Sequence, residues 1–213
     1  LKNNINNSIE ENQAIEMLAQ HMITKPIFEA LFNESDFVKS NPVSKAIESI
    51  IVLLDETAIQ KEQEQLEDFY QSVKERANGI DNLEAKQKII MQLYNKFFKN
   101  AFPETTDELG IVFTPTEVVD FMINSTEKLL NKHLRTSLND KNVNILDPFT
   151  GTGTFIVRLL QSGWINKESL NRKYRNELFA NEIILLSYYI AVVNIEETFH
   201  MLMNRKDEYA KFN

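Results

Sequence analysis

Apolar residues recur at three- and four-residue spacing through most of the first hundred positions. Ile15, Leu18, Ala19 and Met22 trace one helical face, opened by a capping box of Ser8 with Glu11. Pro26 interrupts it, and Ile27, Phe28, Leu31 and Phe32 resume the same spacing. Asn41-Pro42 reads as a turn and a helix start, followed by a stripe of Ala46, Ile47, Ile50, Ile51, Leu53 and Leu54. A Glu-, Gln- and Lys-rich stretch carries Leu66, Phe69, Tyr70 and Val73 and closes at Asn78-Gly79. Ile89, Ile90, Leu93, Tyr94, Phe97 and Phe98 mark a further helix, ended by Pro103. The pattern predicts a helical domain over residues 1–108, built from four or five helices, with residues 1–8 loose. His21 stands alone there, and a lone histidine on a helix reads as a packing residue.

After residue 108 the pattern changes. Gly110-Ile-Val-Phe113 leads into Thr114-Pro115, with Thr114 as N-cap, Pro115 as the first helical residue and Glu117 completing a capping box. Val118, Phe121, Met122, Leu129 and Leu130 follow at helical spacing. Beyond a polar loop, Val143 to Leu146 form a short apolar strand that Asp147-Pro148 stops. Gly151-Thr-Gly153 makes a tight turn into a helix bearing Phe155, Ile156, Leu159 and Leu160, which Gly163 closes. A basic stretch over 165–176 holds Lys167, Arg172, Lys173 and Arg175. Leu178-Phe179-Ala180 is a second strand, ending at Asn181-Glu182, and a last helix runs from about Ile184 to Met203. The expected fold class is mixed α + α/β: an N-terminal helical bundle, then a partial Rossmann-like domain over 109–213.

Charge sharpens this division. The chain has 213 residues and a formal net charge of -8. Residues 1–108 hold 11 Lys+Arg against 19 Asp+Glu, and residues 109–213 hold 12 against 12. The first part is therefore a poor surface for a phosphate backbone, and the second is permissive. The basic stretch offers a DNA-contacting face, though such a run is more often a solvated surface. There is no cysteine, which excludes disulfides, thiolate metal sites and a thiol nucleophile. The longest apolar run, Ile183 to Val193, is eleven residues and falls short of the roughly 18 a membrane span needs. No signal peptide opens the chain, so a soluble, cytoplasmic protein is expected. Its first residue is Leu1 rather than Met, which suggests a fragment.

The chemistry concentrates where strand, glycine turn, helix and strand follow one another. Two glycines between a strand and a helix let a ligand approach the backbone. An acid at the tip of the next strand can accept from both hydroxyls of a ribose, and Glu182 sits there. It lies 29 residues after Gly153, against a usual spacing of about 20, and the basic stretch accounts for the surplus. A nucleoside triphosphate lacks its Gly-Lys-Ser/Thr. A dinucleotide has its Gly-x-Gly, but Ile156 stands where a third glycine would be and Asp147 would face the pyrophosphate with like charge. Asp147 suits a ligand with an amino group and a cationic centre, such as S-adenosylmethionine.

Asp147-Pro-Phe-Thr-Gly-Thr-Gly-Thr-Phe155 resembles the cofactor loop of S-adenosylmethionine-dependent DNA adenine-N6 methyltransferases. Gly110-Ile-Val-Phe-Thr-Pro115 is similar to that family's Thr-Pro element, which helps hold the methionine end of the cofactor, and Glu182 in Asn-Glu-Ile matches its ribose-binding acid. With the helices before it, the chain looks most like the helical linker and methyltransferase start of a type ISP single-chain restriction-modification enzyme. The resemblance implies cofactor-binding roles for Thr114, Pro115, Asp147, Pro148, Phe149, Gly151, Gly153, Glu182 and Ile183, although Phe149 taken by type alone suits a core. It implies DNA as partner through the full-length enzyme, motor or nuclease domains in the same polypeptide, and no metal. The family's catalytic Asn/Asp-Pro-Pro-Tyr/Phe tetrapeptide is absent, so no catalytic residue is expected in this chain, which is expected to be inactive alone. Two other readings stay open: an NAD-binding Rossmann fragment, and a non-catalytic helical coupling module.

Overall fold

The computed structural model describes residues 9–31, 41–52, 66–77, 85, 114–204 and 210–212. The chain divides into two compact units, 1–88 and 89–213. Ser8, Phe32, Leu53, Leu54, Asn78-Gly79, the helix expected around Ile89 to Phe98, Pro103, the sequence-based boundary at 108 and Gly110 to Phe113 all lie outside the described residues.

In the first unit, α1 spans Glu11–Leu31, α2 Pro42–Ile51 and α3 Glu67–Ala77. Helix α1 runs unbroken through Pro26, where an interruption was expected. Its packing against α3 and α2 outweighs the backbone hydrogen bond a helix-interior proline forfeits. Asn41 caps α2 as expected, its side chain accepting from the Val43 and Ser44 amides at 3.0 Å each. The core takes Ile27, Phe28, Ile47, Tyr70 and Val73, whereas Ile15, assigned to the buried stripe, is exposed. His21 is fully buried, and its Nε2 lies 2.7 Å from Glu48 Oε1, which also accepts from Lys25 Nζ at 2.8 Å. Burial lowers the His21 pKa, against the opposing pull of Glu48. His21 thus ties α1 to α2, and it does not stand alone.

In the second unit, α4 spans Thr116–Leu129 and widens into one π turn, Leu130–Leu134. Strand β1 is Ile145–Asp147 and β2 is Leu178–Ala180. They pair in parallel, with Ile145 opposite Leu178 and Asp147 opposite Ala180. The crossover holds α5, Thr154–Gln161, and α6, Lys167–Asn176. Helix α7, Leu185–Met203, lies against α5 and is buried on nearly every side. Ile156, Leu159 and Leu160 of α5 join Val119, Leu178, Ala191, Ile195 and Phe199 in one core, and each large apolar side chain so buried contributes about 1.5–3 kcal/mol.

The basic stretch departs from its surface reading. Lys173 is 0% exposed, with Nζ donating to the Asp140 and Val143 carbonyls at 2.7 Å each and pairing with Glu177 at 3.0 Å. Arg172 is bonded to Glu177 and to the Asn139 carbonyl. Glu177 also accepts from the Asn142 amide at 2.8 Å. Burial alone would raise the Glu177 pKa, but the Asn142 amide, Lys173 and Arg172 outweigh it and hold the group at about 2. Two of the four cations therefore anchor the loop before β1 and are closed to phosphates.

Candidate functional site

Strand β1 ends at Asp147, and the chain turns at once. Asp147 folds back on the turn, its Oδ1 accepting from the Phe149 amide at 3.3 Å and its Oδ2 from the Thr150 hydroxyl at 2.8 Å. The turn is also stitched to β2: the Asn181 amide donates to the Asp147 carbonyl at 2.9 Å, and the Thr150 amide to the Asn181 carbonyl at 3.0 Å. Glu182 bridges two segments, Oε2 accepting from the Gly151 amide at 2.8 Å and Oε1 from the Ile184 amide at 2.7 Å. The sequence-predicted Asp147, Gly151 and Glu182 are thus joined in one hydrogen-bonded group.

The two glycines serve different ends. Both have positive φ, +57° at Gly151 and +86° at Gly153. A Cβ on Gly151 would meet nothing within 4 Å, so the backbone there is open to a ligand. A Cβ on Gly153 would lie 3.1 Å from Ile195 Cγ1 and 3.2 Å from the Ala191 Cα and carbonyl oxygen. The bareness of Gly153 serves the packing of the loop on α7.

Around this group the loop is wet and apolar. Phe149 is 89% exposed and Ile183 is 76% exposed, so Phe149 is no core residue. Pro148 is exposed as well. A cleft of about 320 Å³ opens beside β1, lined by Met122, Thr126, Leu146, Asp147, Pro148 and Phe155 among others. Helix α4, which Thr114-Pro115 introduce, forms one wall. The expected cap is displaced by one position: Pro115 is the N-cap, Thr116 the first helical residue, and no side chain caps the end. Thr114 is exposed. Asp120 of α4 holds α5 through a two-pronged pair with Arg158, at 2.7 and 2.6 Å, and the arginine lowers the Asp120 pKa.

Sequence reasoning missed Asn194, whose Nδ2 donates to the Thr152 carbonyl at 2.9 Å from within α7. Its signal was available: it is the first polar side chain after the tyrosines of the apolar run. No group of three metal-ligating side chains occurs among the described residues.

The loop's chemistry follows from its donors. In a phosphate-binding loop the amides and hydroxyls that follow the strand face an anion. Here the Phe149 and Gly151 amides and the Thr150 hydroxyl face the protein's own carboxylates. A second anion would meet two negative charges, whereas a ligand carrying hydroxyls or an ammonium meets acceptors with lone pairs to spare.

The same stretch is similar to known proteins. Residues 85–206 match the family model of N-6 DNA methylases. The chain belongs to the N-6 DNA methylase family. Residues 1–85 of this methylase-family chain match the coupler domain of type ISP restriction-modification enzymes. Among solved structures it is similar to the ATP-dependent type ISP restriction-modification enzyme LlaBIII bound to DNA, with 56% identity, a TM-score of 0.86 and 99% of this chain aligned on 14% of that one. It is similar to a nuclease-deletion mutant of the type ISP enzyme LlaGI in complex with a DNA substrate mimic, with 55% identity, a TM-score of 0.85 and 99% of this chain aligned on 17% of that one. It is also similar to DrdV in a DNA complex, with 36% identity, a TM-score of 0.86 and 96% of this chain aligned on 20% of that one. The chain thus spans a fifth or less of the length of these relatives. Among curated proteins no match was found. No helix among the described residues is long and apolar enough to cross a membrane.

Proposed function

We propose that residues 109–213 supply the S-adenosylmethionine-binding part of a DNA adenine-N6 methyltransferase within a type ISP restriction-modification enzyme acting in the cytoplasm. The observation that carries this reading is the pair of partly exposed carboxylates, Asp147 and Glu182, that occupy the loop's own donors and keep lone pairs to spare. Asp147 would receive the cofactor's amino group, Glu182 the ribose hydroxyls, and Gly151 the close backbone approach. Phe149 and Ile183, apolar and exposed beside the loop, suit a flat ring. Thr114 and Pro115, at the head of α4, would reach the methionine end. The two parallel strands with their helical crossover are then the start of a Rossmann-like sheet.

The bound cofactor would supply an electrophilic methyl on sulfur for attack by the adenine amine, the C–S electron pair leaving with the thioether and the amine giving up a proton. This chain's own residues bind and orient for that transfer. The chain holds no Asn/Asp-Pro-Pro-Tyr/Phe tetrapeptide, so the adenine, which must leave the duplex stack, would be held by other parts of such an enzyme. DNA, motor and nuclease partners belong to the proposal at the level of the whole protein, and the coupler match favours a mechanical link over residues 1–85. The isolated chain is expected to bind cofactor and transfer no methyl group.

Calorimetric titration tests this. S-adenosylmethionine should bind with NAD giving no heat, and Glu182→Ala should abolish the binding. Selective binding of NAD would overturn the reading, and methyl transfer to DNA by this chain would overturn its inactivity.

A further inference from the structure

We propose that Asn194, on the helix beneath the glycine loop, is a positioning residue that sets the geometry of the cofactor loop. This rests on the S-adenosylmethionine reading given above. Asn194 Nδ2 donates to the Thr152 carbonyl at 2.9 Å, bridging 42 positions of sequence. One turn earlier Ala191, and one residue later Ile195, supply the atoms that a Cβ on Gly153 would meet at 3.1 to 3.2 Å, so only a glycine lies this close to α7. A single patch of α7 therefore grips two successive loop residues, one by its carbonyl and one by contact.

The grip reaches the ligand side of the loop through the peptide plane. A trans peptide points its carbonyl and its N–H in opposite directions. With the Thr152 carbonyl held down on Asn194, the Gly153 amide points away and donates to the Thr150 carbonyl at 2.9 Å. That bond closes the turn in which the Gly151 amide faces Glu182 at 2.8 Å. Thr150 and Thr152 are both buried, so the turn has little freedom left once Thr152 is fixed.

The second observation is a cost. Asn194 is 7% exposed, and its Oδ1 has no hydrogen-bond partner. A buried acceptor without a donor destabilises a fold, so the one bond that Asn194 makes, to the Thr152 carbonyl, is kept at a cost. A polar group kept under these terms points to a constraint on the loop more than on folding.

The experiment compares the 213-residue chain with Asn194→Leu and Asn194→Asp, reading thermal stability, amide hydrogen exchange at Gly151 and Gly153, and S-adenosylmethionine affinity. In Asn194→Leu the unpaired Oδ1 is removed while the buried Thr152 carbonyl loses its donor, so the two costs offset and the melting temperature should change little, while exchange at both amides quickens and affinity weakens, each by about tenfold, the value of one net hydrogen bond. In Asn194→Asp the donor is lost when the buried carboxyl is ionised and regained when it protonates, and burial favours the protonated form, so affinity should recover relative to the wild-type chain as pH falls. Unchanged exchange and affinity in Asn194→Leu overturn the proposal, as does a fall in melting temperature with the loop unaltered. Should Asn194→Leu fail to fold, the aspartate variant decides, and a flat pH profile at wild-type affinity overturns it. Should the wild-type chain bind no S-adenosylmethionine, the cofactor reading falls, and amide exchange alone supports or overturns the positioning role.

Discussion

The two units differ in how fully their buried polar groups are paired. Among the described residues of the second unit, the buried charges Lys173, Glu177 and Glu127 are each met by several partners. In the first unit Gln20 Oε1, Ser44 Oγ and Tyr70 Oη are buried and have none. Each such atom forfeits about 1 kcal/mol, the low end for an unpaired buried group, so the helical unit carries an internal penalty that the methylase unit, among its described residues, shares only at Asn194 Oδ1. A saturated polar network specifies one arrangement, which a binding loop needs. A helical unit with unpaired groups in its core is the one more readily rearranged.

The largest test of this contrast lies in the saturated network. Lys173→Met should destabilise the second unit by about 3 kcal/mol or more, because the buried Glu177 loses a cation and the Asp140 and Val143 carbonyls lose their donor. Denaturant unfolding should show the loss in that unit alone. An unchanged midpoint would break the comparison.

The glycines come next. Gly153→Ala places a Cβ 3.1 to 3.2 Å from α7 at a positive φ, and should cost about 2–4 kcal/mol from overpacking and backbone strain together. Gly151→Ala carries the strain alone, about 1–2 kcal/mol, yet should weaken cofactor binding as strongly. Equal stability losses would erase the distinction drawn between the two positions.

Acid should separate the units as well. His21 has a lowered pKa, so its contribution is present above the unfolded value near 6.5 and fades as pH falls below it. Glu177 sits at about 2 against an ordinary 4.5, so its contribution is intact above that value and fades only between the two. Circular dichroism with site-resolved amide signals should show the helical unit loosening first on acidification. Simultaneous loss would oppose this.

The smallest effect concerns the unpaired groups. Tyr70→Phe and Ser44→Ala remove buried oxygens without partners and should leave the first unit's stability unchanged or raise it by up to about 1 kcal/mol. A clear loss in thermal melting would mean that those oxygens are in fact engaged.

Much of the second unit was legible because its signals are local. Asp147-Pro148 stops β1, Gly153 starts α5 and Gly163 follows its end, and each effect acts within a few residues. What failed depended on contacts distant in sequence. Pro26 looks like a breaker until α2 and α3 hold α1 together. Lys173 looks like a surface cation because its acceptors, Asp140 and Val143, lie about thirty residues upstream. The Thr114 cap was misplaced by one residue, the ordinary scatter of a helix end. In the site, the residue types at Asp147, Gly151 and Glu182 were readable. That Glu182 would hold the Gly151 amide was not, since this depends on the register in which β2 lies beside β1.

The contact of Gly153 with Ala191 and Ile195 has a mechanical consequence. Helix α7 has 19 residues, a rod of about 28 Å at 1.5 Å per residue. The loop bears on its middle at Gly153, which puts no side chain of its own between its backbone and the helix. Close-packed interiors compress little and transmit strain. A displacement applied along the rod at its Met203 end would therefore be carried to the loop, as a push-rod carries motion to the part seated on it.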